Sequence, residues 1–311
     1  MDFACQTNGV QIRLSSVLAH IEGAYAPNTL RAYRADFEEF IAFCGRTCHS
    51  ALPAEPETVA EFINSVCQSG PSSASIRRKL VSIASIHRLS RNGDPTKDAE
   101  VKLAMRKMHR KLGRACDQAY GITATTLDKL LVSAGVGFRG LRDRALLMLA
   151  YDTMRRRSEL VSLRIADIEP NPIGAVIRLR RSKTDQEAAG TWLHISAATY
   201  RAITAWLEAA ELKEGFLLRG VMGNDTLTEQ LGGGQIGRIY KRLAQLAGLP
   251  EKVVSDISGH SLRVGAAQDL LQNGASLPQI MAKGGWAKTD TVMRYVERTS
   301  VAAIHVSAHF G

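Results

Sequence analysis

Cysteines and long apolar runs are scarce in this sequence. Its 311 residues include five cysteines, an odd number at irregular spacing, which argues against a disulfide framework and favours a reducing compartment. The N-terminus lacks a basic region followed by an apolar run, and no stretch approaches the length that crosses a membrane. We therefore expect a cytoplasmic protein.

Clusters of metal ligands and phosphate-binding loops are also missing. Cys44, Cys48 and His49 lie close together, but no second pair of ligands follows at zinc spacing. No Asp/Glu cluster has the spacing of a two-metal site. The three glycines at 232–234 are not a phosphate loop, because no strand precedes them and no Lys-Ser/Thr follows. We expect the protein to need no metal, no ATP and no other cofactor.

The composition favours a globular protein with an anionic partner. Hydrophobic residues make up 45% and charged residues 23% of the chain, which provides ample core material for two domains of ordinary size. The formal net charge is +10, and a strongly basic balance favours a polyanion, nucleic acid before a membrane surface.

The N-terminal third, residues 1–113, is predicted to be an all-helical bundle. Its first dozen residues are interpreted as an arm with little apolar content, and apolar residues then recur at three- and four-residue steps in successive segments. Basic residues cluster on the polar sides of these helices. The candidates for DNA contact are Arg31, Arg34, Arg77, Arg78, Lys79, Arg106 and Lys107. Such a bundle could clamp DNA, with basic side chains gripping phosphates.

Residues 114–122 are the best candidate linker, and residues 123–311 are predicted to form a second, mostly helical domain with a small β-sheet. The segments at 175–181 and 191–195 alternate apolar and polar residues, as paired strands do. The loop between them contains Lys183. The predicted fold class is therefore mainly α in both domains.

Three motifs in the second domain carry reactive side chains. Thr153 to Leu160 reads T-M-R-R-R-S-E-L and contains three consecutive arginines. His260 and Arg263 form H-S-L-R, a spacing that places both side chains on one face of a helical turn. Gly284-Gly285-Trp286 follows, and Tyr295 lies nine residues beyond the tryptophan.

These motifs together resemble those of the tyrosine site-specific recombinases. That family has the pattern T-G-L-R-x-S-E-L, then H-x-x-R, G-G/H-W/H and a nucleophilic tyrosine. Its arginine lies three residues before the glutamate, which selects Arg156 from the three arginines, since Glu159 is the glutamate here. Two positions depart from the common pattern: Met154 replaces the usual glycine, and Val264 stands where most members have a second histidine.

The resemblance implies the DNA breaking-rejoining fold, with a SAM-like N-terminal domain that binds the core of the DNA site. It also implies roles for the matching residues. Tyr295 would attack phosphorus, Arg156 and Arg263 would stabilise the phosphorane, and Lys183 would protonate the leaving 5′-hydroxyl. His260 would donate a hydrogen bond or accept a proton, and Trp286 would donate its indole N–H. Glu159 would orient the site.

The implied partner is double-stranded DNA with inverted-repeat half-sites. Exchange between two duplexes needs four active sites, so the resemblance implies a homotetramer on DNA, whose C-terminal tail, containing Val301, Ile304 and Val306, docks on a neighbouring protomer. By the same likeness Arg31, Arg77 and Arg78 lie on helices that face the DNA groove.

Three alternatives remain open at this point. A type IB topoisomerase or a hairpin-forming resolvase would share the fold and the catalytic residues. A DNA-binding regulator with a silent active site belongs to a different class. A lysogenic integrase with an extra arm-binding domain is disfavoured because the segment before the clamp is short.

Overall fold

The computed structural model describes residues 3–114, 118–180 and 190–295, with side chains from Asn8 onward. The chain divides into two compact units, Met1–Asp117 and Gln118–Gly311. Helices dominate both units and a small sheet lies in the second, which confirms the predicted fold class. None of the described helices combines the length and the apolar character needed to cross a membrane.

The first unit is a helical bundle around an aromatic core. Its α-helices are α1 (Phe3–His20), α2 (Pro27–Thr47), α3 (Pro56–Gln68), α4 (Ser73–Leu89) and α5 (Ala99–Leu112). Phe40 is fully buried, and its ring lies edge-on to Phe37 and Phe62, with centroids 5.8 and 5.1 Å away. Aromatic pairs in this arrangement stabilise a core beyond the area that they bury.

The predicted N-terminal arm is wrong, because residues 3–20 form helix α1. Val10, Leu14 and Leu18 recur at four-residue steps and pack on the bundle core, where the two leucines are buried. Three apolar side chains on one stripe are enough to dock a helix on an existing core.

The second unit contains the remaining elements. These are α6 (Ala124–Ser133), α7 (Phe138–Thr153), α8 (Arg157–Ser162), β1 (Ile168–Asn171), β2 (Gly174–Leu179), β3 (Thr191–Ser196), α9 (Ala197–Ala209), α10 (Gly233–Leu246), α11 (Glu251–Asp256), α12 (Ser261–Gln272) and α13 (Leu277–Gly284). Residues 289–295 are also helical. The described core of this unit surrounds α7, whose Leu146, Leu147 and Leu149 are fully buried.

The sheet is antiparallel in the order β1-β2-β3. The two strands expected from alternation are β2 and β3, paired with Arg178 opposite Trp192. Strand β1 was not expected, because it is four residues long and contains Pro170, which is tolerated only at an edge.

Part of the predicted linker packs into the second unit. The backbone N–H of Tyr120 donates to Asp256 O and that of Ile122 to Ser261 O, both at 2.9 Å. Ile122 is fully buried, so residues 120–122 are fixed against the end of α11 and the start of α12 by apolar burial and by backbone hydrogen bonds.

Candidate active site

A left-handed residue ends α7 and begins the site. Met154 has φ 52° and ψ 31°, is fully buried, and donates its N–H to Ala150 O at 3.0 Å. This conformation costs a residue with a Cβ about 1–2 kcal/mol. Packing of the methionine side chain into a small apolar cluster with Ile280, Trp286 and Val292 offsets that cost. The turn sends the three arginines that follow in different directions.

Each of the three arginines has a different environment. Arg155 is buried and Arg157 is exposed. Arg156 is the N-cap of α8, and its side chain is 21% exposed. Its backbone N–H donates to Glu159 Oε2 at 3.0 Å and its Nη1 to Oε1 at 2.8 Å. The buried Glu159 carboxylate therefore fixes both the backbone and the guanidinium of Arg156.

The second motif places an imidazole and a guanidinium at the start of α12. His260 is the N-cap residue and Arg263 lies in the first turn. Arg263 is 3% exposed, and its Nη1 donates to Met154 O at 2.5 Å. Its Nη2 is buried and has no hydrogen-bond partner among the described residues. A buried unpaired donor is costly, so this atom is suited to an anionic oxygen.

The Gly-Gly-Trp motif forms the turn after α13. Gly285 is left-handed with φ 65°, and a Cβ on Gly284 would collide with the Trp286 ring. A side chain at residue 284 is therefore excluded by the indole ring, and glycine is favoured at residue 285 by its left-handed backbone. The turn places Trp286 over Arg263, with the guanidinium carbon 4.0 Å from the centroid of the indole ring. This distance is within the range of a cation–π contact.

Tyr295 lies against the same tryptophan. The two ring centroids are 5.8 Å apart. Side-chain amides hold the backbone at this point: Gln268 Nε2 donates to Tyr295 O at 3.1 Å and Gln118 Nε2 to Arg294 O at 2.5 Å. Sequence reasoning missed both glutamines, because an amide that bonds a distant backbone carbonyl leaves no sequence pattern.

The site is strongly cationic. Burial, followed by the charge of Arg156, lowers the pKa of Arg263 to about 10, with the charges of Glu159 and Tyr295 working in the opposite direction. Arg263 thus stays protonated at neutral pH. Partial loss of water, then the charges of Arg263, Arg157 and Arg156, lowers the pKa of His260 below its ordinary value. The imidazole is therefore neutral at pH 7 and able to accept a proton.

Six of the predicted site residues are brought together in the second unit, and one lies outside the described residues. The six share hydrogen bonds, ring contacts or charge interactions and are Arg156, Glu159, His260, Arg263, Trp286 and Tyr295. Lys183 and the tail residues Val301, Ile304 and Val306 lie outside the described residues. The part of the chain that is described contains no group of three His, Cys, Asp or Glu able to hold a metal ion.

Two of the predicted DNA contacts on α4 are paired with acidic residues of α2. Arg78 Nη1 contacts the buried Asp36 Oδ2 at 2.7 Å, but its side chain remains 50% exposed. Lys79 is paired with Glu39, and its side chain is 10% exposed. Because α4 directs the Lys79 side chain towards α2, little of that side chain is accessible to DNA.

The other predicted contacts differ in how exposed they are. Arg31 is exposed and donates to Asn28 on its own helix. Arg34 is half exposed, 3.9 Å from Glu38, and Arg77 is partly exposed. On α5, a cleft of about 450 Å³ is lined mainly by cationic side chains. Its residues are Leu103, Arg106, Lys107, His109, Arg110 and Arg114.

Comparisons with known proteins find matches to the same family in both halves of the chain. A sequence profile described as "Phage integrase family" matches residues 121–300, and one described as "Phage integrase, N-terminal SAM-like domain" matches residues 19–91. An integrase/recombinase XerD homolog of Selenomonas ruminantium is 30% identical over 90% of this chain and 84% of its own length. Recombinase Cre of Escherichia phage P1 is 27% identical over 88% of this chain and 84% of its own length.

Solved structures share the fold. XerH site-specific recombinase bound to palindromic difH substrate, a post-cleavage complex, superposes with a TM-score of 0.66 at 19% identity, covering 88% of this chain and 78% of that one. A lambda integrase dimer bound to a COC′ core site gives 0.62 at 16% identity, covering 91% and 93%. At these identities the likeness is one of fold.

Proposed function

The chain belongs to the phage integrase family of tyrosine site-specific recombinases, which are DNA strand-transferring enzymes, and from that premise we propose a Cre-like reaction. The protein cleaves and rejoins duplex DNA at inverted-repeat sites through a 3′-phosphotyrosine intermediate, in the cytoplasm and without metal or ATP. The observation that carries this proposal is the buried Nη2 of Arg263, which has no hydrogen-bond partner in the described part of the chain and lies in a cationic cluster beside Tyr295.

Tyr295 is the nucleophile. Its phenolic oxygen attacks the scissile phosphorus and forms a P–O bond as the bond to the 5′-oxygen breaks. The covalent intermediate divides one difficult displacement into two reversible steps. Neutral His260 accepts the phenolic proton or donates a hydrogen bond to the phosphate, and Lys183 donates a proton to the leaving 5′-oxygen. The 5′-hydroxyl of a second strand then reverses the reaction.

Two guanidinium groups stabilise the charge that develops on the non-bridging oxygens. Arg263 supplies the free Nη2 donor, and Arg156 supplies the donors that Glu159 does not engage. Such charge-assisted hydrogen bonds are stronger than neutral ones, and the arginine fork presents two of them in parallel. Trp286 shapes the pocket, and its indole N–H is the remaining donor of the set.

The DNA is held by both halves of the protein in this proposal. Residues 1–113 act as a clamp, residues 114–122 as the connection, and residues 123–311 as the catalytic domain. Arg31, Arg34, Arg77, Arg78, Arg106 and Lys107 contact phosphates or groove edges. Strand exchange between two duplexes takes place in a homotetramer assembled on DNA, with the C-terminal tail docked on a neighbouring protomer. Paired inverted half-sites follow from two-fold symmetry between protomers.

Covalent trapping tests the reaction. A random duplex library carries a nick just 3′ of each candidate phosphate, so that cleavage releases a short fragment and cannot be reversed. After denaturation, the DNA that remains attached is sequenced, and the modified residue is mapped by peptide analysis. The matched pair is Tyr295→Phe and Tyr200→Phe, since Tyr200 lies on α9 outside the site. We expect inverted-repeat sequences on wild type and Tyr200→Phe, and none on Tyr295→Phe.

Other outcomes select the alternative functions. If wild type and Tyr295→Phe both shift DNA in a gel and neither traps it, the protein is a DNA-binding regulator. Relaxation of supercoiled plasmid that lacks any recovered site, without recombinant products, would assign a type IB topoisomerase activity. Hairpin ends on the recovered DNA would assign a hairpin-forming resolvase.

A further inference from the structure

Arg155 is a buried cation that the proposed chemistry does not use. It is 6% exposed. Its Nε donates to Thr153 O at 3.1 Å, and its Nη2 donates to Lys283 O at 2.5 Å. Both acceptors are backbone carbonyls, and the second lies 128 residues away along the chain. The side chain therefore connects the turn at residues 153–155 to the end of α13.

The bond to Lys283 completes the end of that helix. The last carbonyls of a helix lack intrahelical donors. In α13, the carbonyl of Met281 accepts from Trp286 N and that of Ala282 accepts from Gly285 N. Lys283 O instead receives the guanidinium of Arg155, a cation at the negative end of the helix dipole.

Burial of this cation is costly in itself. Burial lowers the pKa of Arg155, the charge of Glu159 opposes this and the charge of Arg156 adds to it. A buried charge is destabilising unless hydrogen bonds or opposite charges compensate for its lost hydration. The hydrogen bond from Arg155 to Lys283 O compensates for part of this cost and joins two segments that are distant in sequence.

The tie leads directly to the phosphate-binding arginine. Arg155 lies against Gly285, so that a Cβ at that residue would meet its guanidinium. The next residue, Trp286, covers the guanidinium of Arg263 at 4.0 Å. Arg263 in turn donates to the carbonyl of Met154, which precedes Arg155. These contacts connect three segments to one another: residues 154–155, the turn at residues 283–286 and the first turn of α12.

We propose that Arg155 is a positioning residue that fixes the 283–286 turn and so holds Trp286 on Arg263. This inference rests on the proposed function, since the positioned guanidinium is assigned to the scissile phosphate. Without the tie to Lys283 O, the turn keeps its backbone hydrogen bonds but loses the side chain that fixes its position, so Trp286 shifts on Arg263. A misplacement of about 1 Å in an active site costs about 100-fold in rate.

The test uses three variants of the full chain. Arg155→Met keeps the length of the side chain and removes its donors, and Arg155→Lys restores a single donor. Arg144→Met is the matched control, because Arg144 also donates to a backbone carbonyl, Gly135 O at 3.1 Å, but outside the site. Each variant is compared with wild type for its unfolding midpoint and its affinity for the duplex recovered in the trapping experiment.

The first readout is the exposure of Trp286 to acrylamide, which needs neither DNA nor activity. Trp192 is 54% exposed and Trp206 is fully buried, so a Trp192→Phe background leaves Trp286 as the tryptophan whose quenching can change. We expect Arg155→Met to increase quenching, Arg155→Lys to lie between it and wild type, and Arg144→Met to match wild type.

The second readout is the single-turnover trapping rate. We expect Arg155→Met to bind DNA as wild type does and to cleave it about 100-fold more slowly, with Arg155→Lys partly restored. Unchanged quenching and unchanged cleavage in Arg155→Met would overturn the inference. If that variant does not fold, Arg155→Lys decides, and wild-type quenching and cleavage in it would also overturn the inference. If wild type traps no DNA, the proposed function fails, and the quenching result alone decides the role of Arg155.

Discussion

The carbonyl oxygen of Met154 accepts a hydrogen bond from Arg263 Nη1 at 2.5 Å, across 109 residues of sequence. The T-M-R-R-R-S-E-L motif thereby supplies the hydrogen-bond acceptor that anchors the arginine of the H-S-L-R motif. Because the acceptor is a backbone atom, the side chain of residue 154 acts on this hydrogen bond indirectly, through the left-handed turn and through its packing with Trp286.

Replacement of Met154 separates backbone strain from apolar packing. Loss of the buried side chain in Met154→Ala is expected to cost about 2–5 kcal/mol of unfolding free energy. Met154→Gly loses the same contacts but relieves the left-handed strain, so it should be more stable than Met154→Ala by about 1 kcal/mol. Denaturant unfolding followed by tryptophan fluorescence reports on the second unit, which contains Met154 and all three tryptophans, Trp192, Trp206 and Trp286. An alanine variant as stable as the glycine variant would contradict the strain argument.

Lysine cannot replace either phosphate-binding arginine. Arg156→Lys and Arg263→Lys each keep a positive charge but lose the planar pair of donors. We expect the single-turnover trapping rate to fall about 100- to 1,000-fold, the effect of removing one donor to a developing oxyanion, while DNA affinity changes little. Arg201→Lys, at an exposed position of α9, is the control and should react as wild type. A wild-type trapping rate in Arg156→Lys would mean that another of the three consecutive arginines has the phosphate-binding role.

The protonation of His260 should depend on Arg157. Desolvation and three neighbouring guanidiniums lower the pKa of the folded-state imidazole from 6.5, so the unfolded chain binds this proton more readily than the folded one. The stability that the neutral ring contributes is complete above pH 6.5 and is lost as the pH falls below that value. Removal of one cation in Arg157→Ala should raise the pKa of His260.

An NMR titration of the histidine ring protons measures this shift. His87 is the internal control, because burial and not an arginine is the main cause that lowers its pKa. It should titrate identically in both proteins. An unchanged pKa of His260 in Arg157→Ala would show that Arg157 does not act on the imidazole.

Exposure should decide which basic residues of the first unit contact DNA. Each phosphate contact that is removed reduces the slope of log K against log salt by about 1. We expect this reduction in Arg31→Ala, since Arg31 is exposed. Lys79→Ala should leave the slope unchanged and lower the unfolding midpoint, because Lys79 is buried beside Glu39. Equal slopes for the two variants would contradict the assignment.

Much of the site was predictable because its motifs are local. The H-S-L-R spacing puts His260 and Arg263 on one face if the segment is helical, and a Gly-Gly pair such as Gly284-Gly285 is typical of a turn. The resemblance to the recombinase family, whose arginine lies three residues before the glutamate, selected Arg156, and the structure places this residue at the N-cap of α8. Helix and strand periodicity gave the mainly α architecture for the same reason, since hydrophobic repeats reflect the geometry of the backbone itself.

The tertiary structure decided the direction of side chains whose neighbours are far away in sequence. Three consecutive arginines look alike in the sequence, and only the left-handed turn at Met154 and the end of α13 bury Arg155 and leave Arg157 exposed. Lys79 and Arg78 are adjacent, yet packing against α2 turns one inward. Such choices depend on contacts between segments that meet only after folding, because burial and hydrogen bonding are properties of the packed chain and not of a local sequence pattern.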